Sequence, residues 1–235
     1  MTARRCFRLI TGLLLAGTCA HTTTAGATVL TFNEDAPNNP ISDGSDIPQA
    51  YGDNVTAASD SGFTYDEQGE GFTPDVQTSY GQDTKMWQGS YGDLSNVVYD
   101  QESNGIFEMS LNANAGSAVQ LHGFDLAGWP TTDYTINSLS VLESGGSPLF
   151  SANSVDVEGS NGHSDFDFSQ PLTAQSLSIR FDASNLGNQN DNIGIDNVRF
   201  GQTNADTSVP APAALGMLGV GLIGVSVARR RRATA

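Results

Sequence analysis

Side chains rich in oxygen cluster near residue 190, and they suit the binding of a hard cation. Asn192 and Asp196 belong to a run that also holds Asn188, Asn190 and Asp191. Carboxylate and amide oxygens are the ligands that calcium prefers in proteins. The spacing is not that of an EF-hand loop. The run predicts a calcium site, with the alternative that Asp196 and its neighbour Asn197 only satisfy backbone groups in a turn.

Two aromatic residues are candidates for binding sugar rings. Trp87 and Tyr91 lie in a polar, glycine-rich stretch, which predicts that their rings are exposed. Indole and phenol faces stack on the apolar faces of sugars, while nearby amides and carboxylates bind the hydroxyls. Trp129 precedes a proline at the end of a predicted strand and belongs either to the core or to the rim of a site. The alternative for each aromatic residue is ordinary core packing.

Signatures of catalysis are absent from the sequence. It has no Gly-x-Ser-x-Gly elbow, no His-Glu-x-x-His and no P-loop. His122 and His163 have no partner at metal-ligand spacing, which argues against zinc. Paired carboxylates of a glycoside hydrolase or lyase meet in space rather than in sequence, so that alternative stays open. The sequence predicts a protein that is not an enzyme.

Charge is distributed very unevenly along the 235 residues. The chain holds 26 acidic and 10 basic residues, and all of the acids lie between Glu34 and Asp206. Only Lys85, Arg180 and Arg199 are basic in that interval. Binding to phosphates needs a basic footprint, so nucleic acid is excluded as a partner. The charge favours solubility and is compatible with a bound cation.

The N-terminus has the organisation of a secretory signal peptide, which we assign to residues 1–27. Three arginines precede a short apolar run, and the small residues Ala25-Gly26-Ala27 follow it. Cleavage after Ala27 would leave Thr28 as the first residue. Both cysteines, Cys6 and Cys19, fall within this segment, so the mature protein has no disulfide.

The C-terminus has an equally clear organisation. A polar linker, residues 203–208, leads into Val209-Pro210-Ala211-Pro212. An apolar, glycine-rich stretch of about residues 213–228 follows, and Arg229, Arg230, Arg231 and Arg232 end it. As a helix this stretch rises about 24 Å, which predicts a short transmembrane helix whose arginines stay on the cytoplasmic side. The alternative is an ordinary single-pass anchor.

This combination resembles the PEP-CTERM sorting signal of exported bacterial proteins, here over residues 209–235. The family pattern is Val-Pro-Glu-Pro, and Ala211 stands here in place of the glutamate. The resemblance implies passage through the secretion machinery, transient anchoring in the inner membrane and processing by an exosortase near Pro212. The expected destination is the cell surface or the extracellular polysaccharide matrix.

Residues 28–202 predict an all-β ectodomain, an antiparallel β-sandwich of the jelly-roll class. Short segments of alternating apolar and polar residues are separated by turn residues, and no segment has helical periodicity. The predicted strands are 29–32, 96–99, 107–111, 119–126, 134–142, 154–157, 166–168, 177–181 and 193–200. Residues 33–62 are rich in Asn, Asp, Pro and Gly and show no periodicity, which predicts a long loop that wraps the sandwich. The apolar phase changes between Ile195 and Val198, which predicts a β-bulge at Asp196 and Asn197.

The ectodomain is similar to carbohydrate-binding and galactose-binding-like jelly rolls. Three stretches resemble those shared by a subgroup of PEP-CTERM ectodomains, namely Tyr91-Gly92-Asp93-Leu94, Phe124-Asp125-Leu126-Ala127-Gly128-Trp129 and Ile193-Gly194-Ile195-Asp196-Asn197-Val198-Arg199-Phe200. The last of them is the one that is similar to the closing strand of these jelly rolls. In such folds the first and last strands meet beside an acid. The resemblance therefore implies that Glu34 and Asp35, which follow the first strand, join Asp196 in the calcium site. Likeness of fold does not by itself imply sugar binding.

Three functions are compatible with these observations. The first is a non-catalytic structural or adhesive protein of the cell surface, linked to exopolysaccharide. The second is a calcium-assisted, lectin-like carbohydrate-binding module, which predicts a concave aromatic site at Trp87 or Tyr91. The third is a matrix-modifying hydrolase or lyase, which predicts two facing carboxylates in a cleft.

Overall fold

Alternation of side-chain polarity produces β-strands along most of the ectodomain. In the strand Ile106–Ala113, the side chains of Phe107, Met109 and Leu111 are fully buried, whereas Glu108 is exposed. A strand places successive side chains on opposite faces, so this pattern gives one face to the core and the other to water. The predicted all-β class is therefore confirmed.

The computed structural model describes residues 27–32, 42–68, 71–101 and 104–205. The predicted signal peptide up to residue 26, the calcium candidates Glu34 and Asp35, the sorting residues 209–212 and 229–232, and the predicted transmembrane helix 213–228 lie outside these ranges. Within them, no helix is long and apolar enough to cross a membrane.

Fourteen strands and one 3-10 helix make up the described chain. The elements in chain order are β1 (Ala27–Leu30), β2 (Ser59–Asp60), β3 (Phe63–Thr64), β4 (Asp66–Gln68), β5 (Val76–Tyr80), β6 (Thr84–Trp87), β7 (Val97–Asp100), β8 (Ile106–Ala113), β9 (Ser117–Gly128), β10 (Tyr134–Glu143), β11 (Pro148–Val157), β12 (Ser164–Ala174), β13 (Ser176–Asp182), the 3-10 helix (Ser184–Gln189) and β14 (Ile193–Asn204). All nine predicted strands overlap one of these, namely β1 and β7 to β14.

The strands form two antiparallel sheets and one small hairpin. The larger sheet has the order β12-β9-β14-β1-β4. Strand β7 also belongs to this sheet, because it pairs with the first half of β14, and β6 pairs with the other edge of β7. The second sheet has the order β11-β10-β13-β8-β5, and β2 pairs with β3. From β8 to β14 the chain crosses repeatedly between the two sheets. This alternation is the topology of a jelly-roll sandwich.

The core fills the space between the two sheets and includes part of the long loop. Phe107 and Phe181 stack within the second sheet, with their ring centroids 4.8 Å apart. From the loop, Tyr51 is fully buried and stacks on Phe32 at 5.3 Å. The amide of Gly52 donates a hydrogen bond of 2.8 Å to the hydroxyl of Tyr65. The described part of the predicted loop is thus held by aromatic packing.

The two ends of the ectodomain lie side by side. Ala27, the predicted site of signal cleavage, is the first residue of β1 and pairs with Gly201 of β14. It is buried, with 3% of its surface exposed. Strand β14 continues to Asn204, so two residues of the segment predicted as a linker belong to the sheet.

Candidate functional site

An aromatic pocket lies at the end of the larger sheet where β14 begins. Trp87 ends β6, Tyr99 belongs to β7, Trp129 follows β9 directly, and Asn192 precedes β14. Because β6, β7, β14 and β9 are neighbours in the sheet, their ends bring these side chains together. The pocket has a volume of about 200 Å³. Its lining consists of Trp87, Tyr91, Tyr99, Gln101, Trp129, Asp191 and Asn192.

The rings of the pocket meet at steep angles, so that their faces point in different directions. The centroids of Trp87 and Trp129 are 6.1 Å apart and their planes make an angle of 76°. Trp87 meets Tyr99 in the same way, at 6.3 Å and 82°. Edge-to-face contacts of this kind are favourable because the positive edge of one ring faces the negative face of the other. The two indoles are half-buried, so part of each remains available to a ligand.

Hydrogen bonds fix the position of Trp129 and Asn192. The backbone N–H of Trp129 donates to the carbonyl of Asn192 at 2.8 Å. The Nδ2 of Asn192 donates to the hydroxyl of Tyr134, which in turn donates to the carbonyl of Trp129, both at 2.8 Å. These three bonds form a closed circuit. The pocket wall is therefore organised before any ligand binds, which reduces the entropic cost of binding.

Tyr91 is positioned by two glycines. A Cβ at Gly194 would lie 2.9 Å from the ring of Tyr91, so only glycine leaves room for the ring against β14. Gly92 has a φ of 57°, and a Cβ there would lie 1.9 Å from the carbonyl oxygen of Gly162. The prediction that Tyr91 is exposed is wrong, because 3% of its surface is exposed. Its ring forms a buried wall of the pocket, as does the buried Asn192, whereas Trp87, Trp129, Gln101 and Asp191 remain accessible.

Sequence reasoning missed the contributions of Tyr99, Gln101 and Asp191 to this pocket. Tyr99 belongs to the predicted strand 96–99, and its position in the sequence gave no reason to expect its ring in a binding site. Strand β6, which carries Trp87, was not predicted, so nothing in the sequence pattern placed Trp87 beside β7. The signals that pointed here were Trp87 and Tyr91 within a polar stretch, and Trp129 at the end of a predicted strand.

A cluster of charged side chains lies next to the turn that carries Tyr91. The Nδ1 of His163 is 2.7 Å from Oδ1 of Asp93, and its Nε2 is 3.1 Å from Oδ1 of Asp165 and 3.9 Å from Oδ2 of Asp125. A carboxylate cannot donate, so an imidazole bonded to Asp93 and Asp165 must carry both protons. Burial opposes that charge, but the hydrogen bonds to Asp93 and Asp165 and the charge of Asp125 outweigh it and raise the pKa of His163.

Arg199 completes the cluster. Its guanidinium donates to Oδ1 of the buried Asp125 at 3.0 Å and to Oδ1 of Asp167 at 2.7 Å. The Nδ2 of Asn197 donates to Oδ2 of Asp125 at 2.8 Å. Ligand atoms of Asp125, His163 and Asp165 lie within 4.8 Å of one another, a spacing that is also compatible with metal ligation. The sequence placed His163 in a polar loop without a partner, and only the fold brings these acids to it.

The predicted β-bulge at Asp196 and Asn197 is confirmed. The register between β9 and β14 shifts between Asp196 and Arg199, and Asn197 has a φ of 49°. The backbone N–H of Asn197 donates to Oδ1 of Asp196 at 2.7 Å. Only 4% of Asp196 is exposed, and burial, with a further contribution from the charge of Asp125, raises its pKa to about 8.

Asn192 and Asp196, predicted as joint calcium ligands with Glu34 and Asp35, lie at different sites. Asn192 lines the aromatic pocket, whereas Asp196 lies beside Asp125. Four residues of extended chain separate them by about 13 Å, which is too far for one ion. Glu34 and Asp35 lie outside the described residues. A calcium site at Asp196 stays a prediction.

Comparison with known proteins decides the nature of the C-terminal segment. Residues 208–232 match the family model described as the PEP-CTERM protein-sorting motif. The chain carries a PEP-CTERM sorting motif. The motif implies export, membrane-anchored transit and processing by an exosortase. It covers the predicted residues Val209-Pro210-Ala211-Pro212 and Arg229-Arg230-Arg231-Arg232, although Ala211 departs from the usual glutamate.

The ectodomain of this PEP-CTERM protein has low similarity to known proteins. A solved structure of a mutant of CBM29-2, a family 29 carbohydrate-binding module, is 14% identical, with a TM-score of 0.25. The match covers 58% of this chain and 99% of that chain. No curated protein matches the sequence. The assignment of the sandwich rests on the strand pairing described above.

Proposed function

We propose that this exported PEP-CTERM protein is a non-catalytic, carbohydrate-binding component of the cell surface and its polysaccharide matrix. The observation that carries the proposal is the pocket in which Trp87 and Trp129 meet edge to face beside Gln101, Asp191 and Asn192. Aromatic faces next to a few polar side chains are the combination by which proteins hold sugar rings.

The pocket favours binding over a purely structural role. A purely structural surface protein needs no concave binding site, so that hypothesis does not predict an aromatic pocket. Both tryptophans of the chain line the same pocket, and the hydrogen-bonded circuit through Tyr134 holds one of its walls. A pre-organised site of this kind supports the lectin-like alternative, while the sorting motif supports a location where polysaccharide is available.

The same pocket supports a non-catalytic role. Hydrolysis of a glycoside by the usual mechanism needs two carboxyl groups on either side of the scissile bond. Among the described residues that line the pocket, Asp191 alone carries a carboxylate. Four carboxylates that cluster around His163 and Arg199 are in ion pairs with them, and the neighbouring Asp196 is buried and does not line the pocket.

The proposal is tested by calorimetric titration of the purified protein with defined oligosaccharides and with polysaccharide from cells that export it. We expect saturable binding that Trp87→Ala reduces about two- to tenfold, since stacking on one aromatic ring contributes about 0.5–1.5 kcal/mol. The matched control is Leu149→Ala, which removes an exposed apolar side chain on the second sheet. Unchanged binding in Trp87→Ala, with its fold verified by circular dichroism, would contradict the proposal.

A further inference from the structure

The pocket carries negative charge close to its aromatic walls. Asp191 is part of the lining. Burial raises the pKa of both Tyr91 and Tyr99, and the charge of Asp191 adds to the effect on each. On the pKa of Tyr99, Lys85 acts in the opposite sense and Asp43 in the same sense as Asp191. A carboxylate that acts on both phenols lies beside the space that a ligand would fill.

Positive charge at the pocket is neutralised or distant. Between residues 27 and 205 the sequence has three basic residues, Lys85, Arg180 and Arg199. Lys85 on β6 is paired with Asp46, and Arg199 is bound by Asp125 and Asp167. Arg180 lies on β13 of the second sheet. Within the described chain, no basic side chain lines the pocket to receive an acidic sugar.

The size of the pocket sets the size of the unit that it accepts. The volume of about 200 Å³ is below the ~300–1,000 Å³ typical of pockets that bury a drug-sized ligand. That space suits one saccharide ring, with the rest of a chain lying outside the pocket. Recognition therefore depends on the substituents of a single ring.

On this basis, which rests on the proposed function, we propose that the pocket selects a saccharide unit with a free, protonated amino group over an acidic one. The ammonium group would face the Asp191 carboxylate and the faces of Trp87 and Trp129. A cation is stabilised over an indole face more than over a phenol or phenyl face. A uronate would instead place its carboxylate beside Asp191 without a counter-ion, which is unfavourable.

The test compares four tetrasaccharides at about pH 6 and low salt by calorimetry: glucosamine, N-acetylglucosamine, glucose and galacturonic acid oligomers. We expect the glucosamine oligomer to bind about tenfold more tightly than its acetylated form, and the galacturonic acid oligomer to bind weakest. The preference should weaken as sodium chloride is raised to about 0.3 M, because salt screens the charge. In Asp191→Asn this preference for the glucosamine oligomer should disappear.

The control for Asp191→Asn is Asp66→Asn, which makes the same change of charge on exposed β4. Equal affinity for the glucosamine and N-acetylglucosamine oligomers would overturn this inference and leave the proposed function intact. Tighter binding of the galacturonic acid oligomer would overturn it as well. Binding of none of the four would overturn the proposed function itself. Binding of choline but of no saccharide would overturn both and identify the pocket as an ammonium site.

Discussion

His163 joins two turns of the sandwich through its bond to Asp93. The Nδ1 of His163 lies 2.7 Å from Oδ1 of Asp93, so the turn between β11 and β12 holds the turn that begins at Tyr91. The close approach of Gly92 to Gly162 connects the same two turns. The wall of the aromatic pocket is thus attached to a titratable group that is not itself part of the lining.

The first prediction concerns the pH dependence of this connection. The pKa of His163 is raised in the folded protein, so its contribution to stability is complete below the unfolded value near 6.5 and is lost as pH rises through the folded value. We expect His163→Gln to lower the free energy of unfolding by about 0.5–1 kcal/mol at pH 5.5, a small effect because Asp93 and Asp165 are exposed. The difference from wild type in urea unfolding should shrink as pH rises through the folded pKa of His163. A difference in the free energy of unfolding between wild type and His163→Gln that grows with pH would contradict this prediction.

The second prediction concerns the buried carboxyl group of Asp196. Its folded pKa of about 8 lies above the unfolded value, so the folded state holds the proton more tightly. Stability from this group is present below pH 4 and is lost as pH rises towards 8. Asp196→Asn keeps a group of similar shape without the charge. We expect the variant to be about 1–3 kcal/mol more stable than wild type near pH 8.5, measured by urea unfolding.

The same pair of proteins tests the predicted calcium site. Both proteins are first treated with a chelator. If Asp196 is a calcium ligand, adding calcium then raises the unfolding temperature of the wild type but not that of Asp196→Asn. Equal responses of wild type and Asp196→Asn would remove Asp196 from the ligand set.

The third prediction concerns the glycine that makes room for Tyr91. A Cβ at Gly194 would lie 2.7 Å from Cγ2 of Val97 and 2.9 Å from the ring of Tyr91. We expect Gly194→Ala to lower the free energy of unfolding by about 1–3 kcal/mol and to weaken oligosaccharide binding, because the ring must move. The matched control is Gly89→Ala, since a Cβ at Gly89 meets nothing within 4 Å. Equal stability of the two variants would contradict this account.

The fourth prediction uses the intrinsic fluorescence of the protein. The chain has two tryptophans, Trp87 and Trp129, and both line the pocket. The carboxylate of Asp191 should repel an anionic quencher and attract a cationic one. We expect caesium to quench the emission more efficiently than iodide, and Asp191→Asn to reduce the ratio of the two quenching constants. A ratio unaffected by the variant would show that the charge of Asp191 does not reach the indoles.

Strand periodicity predicted the sandwich because strands such as β8 and β13 have one apolar face in the core. The alternation of Phe107, Met109 and Leu111 with polar residues is visible without a structure, and so is the change of phase at Asp196. Strand β6 escaped prediction because one of its two buried side chains, Thr84, is polar, so the segment shows no alternation of apolar and polar residues. The short strand nevertheless positions Trp87, the residue on which the proposed function most depends.

The candidate site could be predicted only in part because it forms from the ends of four strands and two turns. Trp87 and Tyr91 are four residues apart and were recognised together, but the sequence could not tell which ring is buried. That depends on Gly194, a hundred residues away, whose missing side chain admits the ring of Tyr91. The contacts of His163 with Asp93 and Asp125 likewise depend on long-range pairing that no local pattern encodes.

The length of β14 has a mechanical consequence. The pocket lies where this strand begins, and the chain leaves its other end towards the sorting motif. At about 3.3 Å per residue, twelve residues separate the two points by about 40 Å. If the protein is retained at its C-terminal end, a pulling force on bound polysaccharide would be transmitted along β14. Its backbone bonds to β9, from Ile193–Gly128 to Asn204–Ser117, would then be loaded together in shear and not opened one at a time.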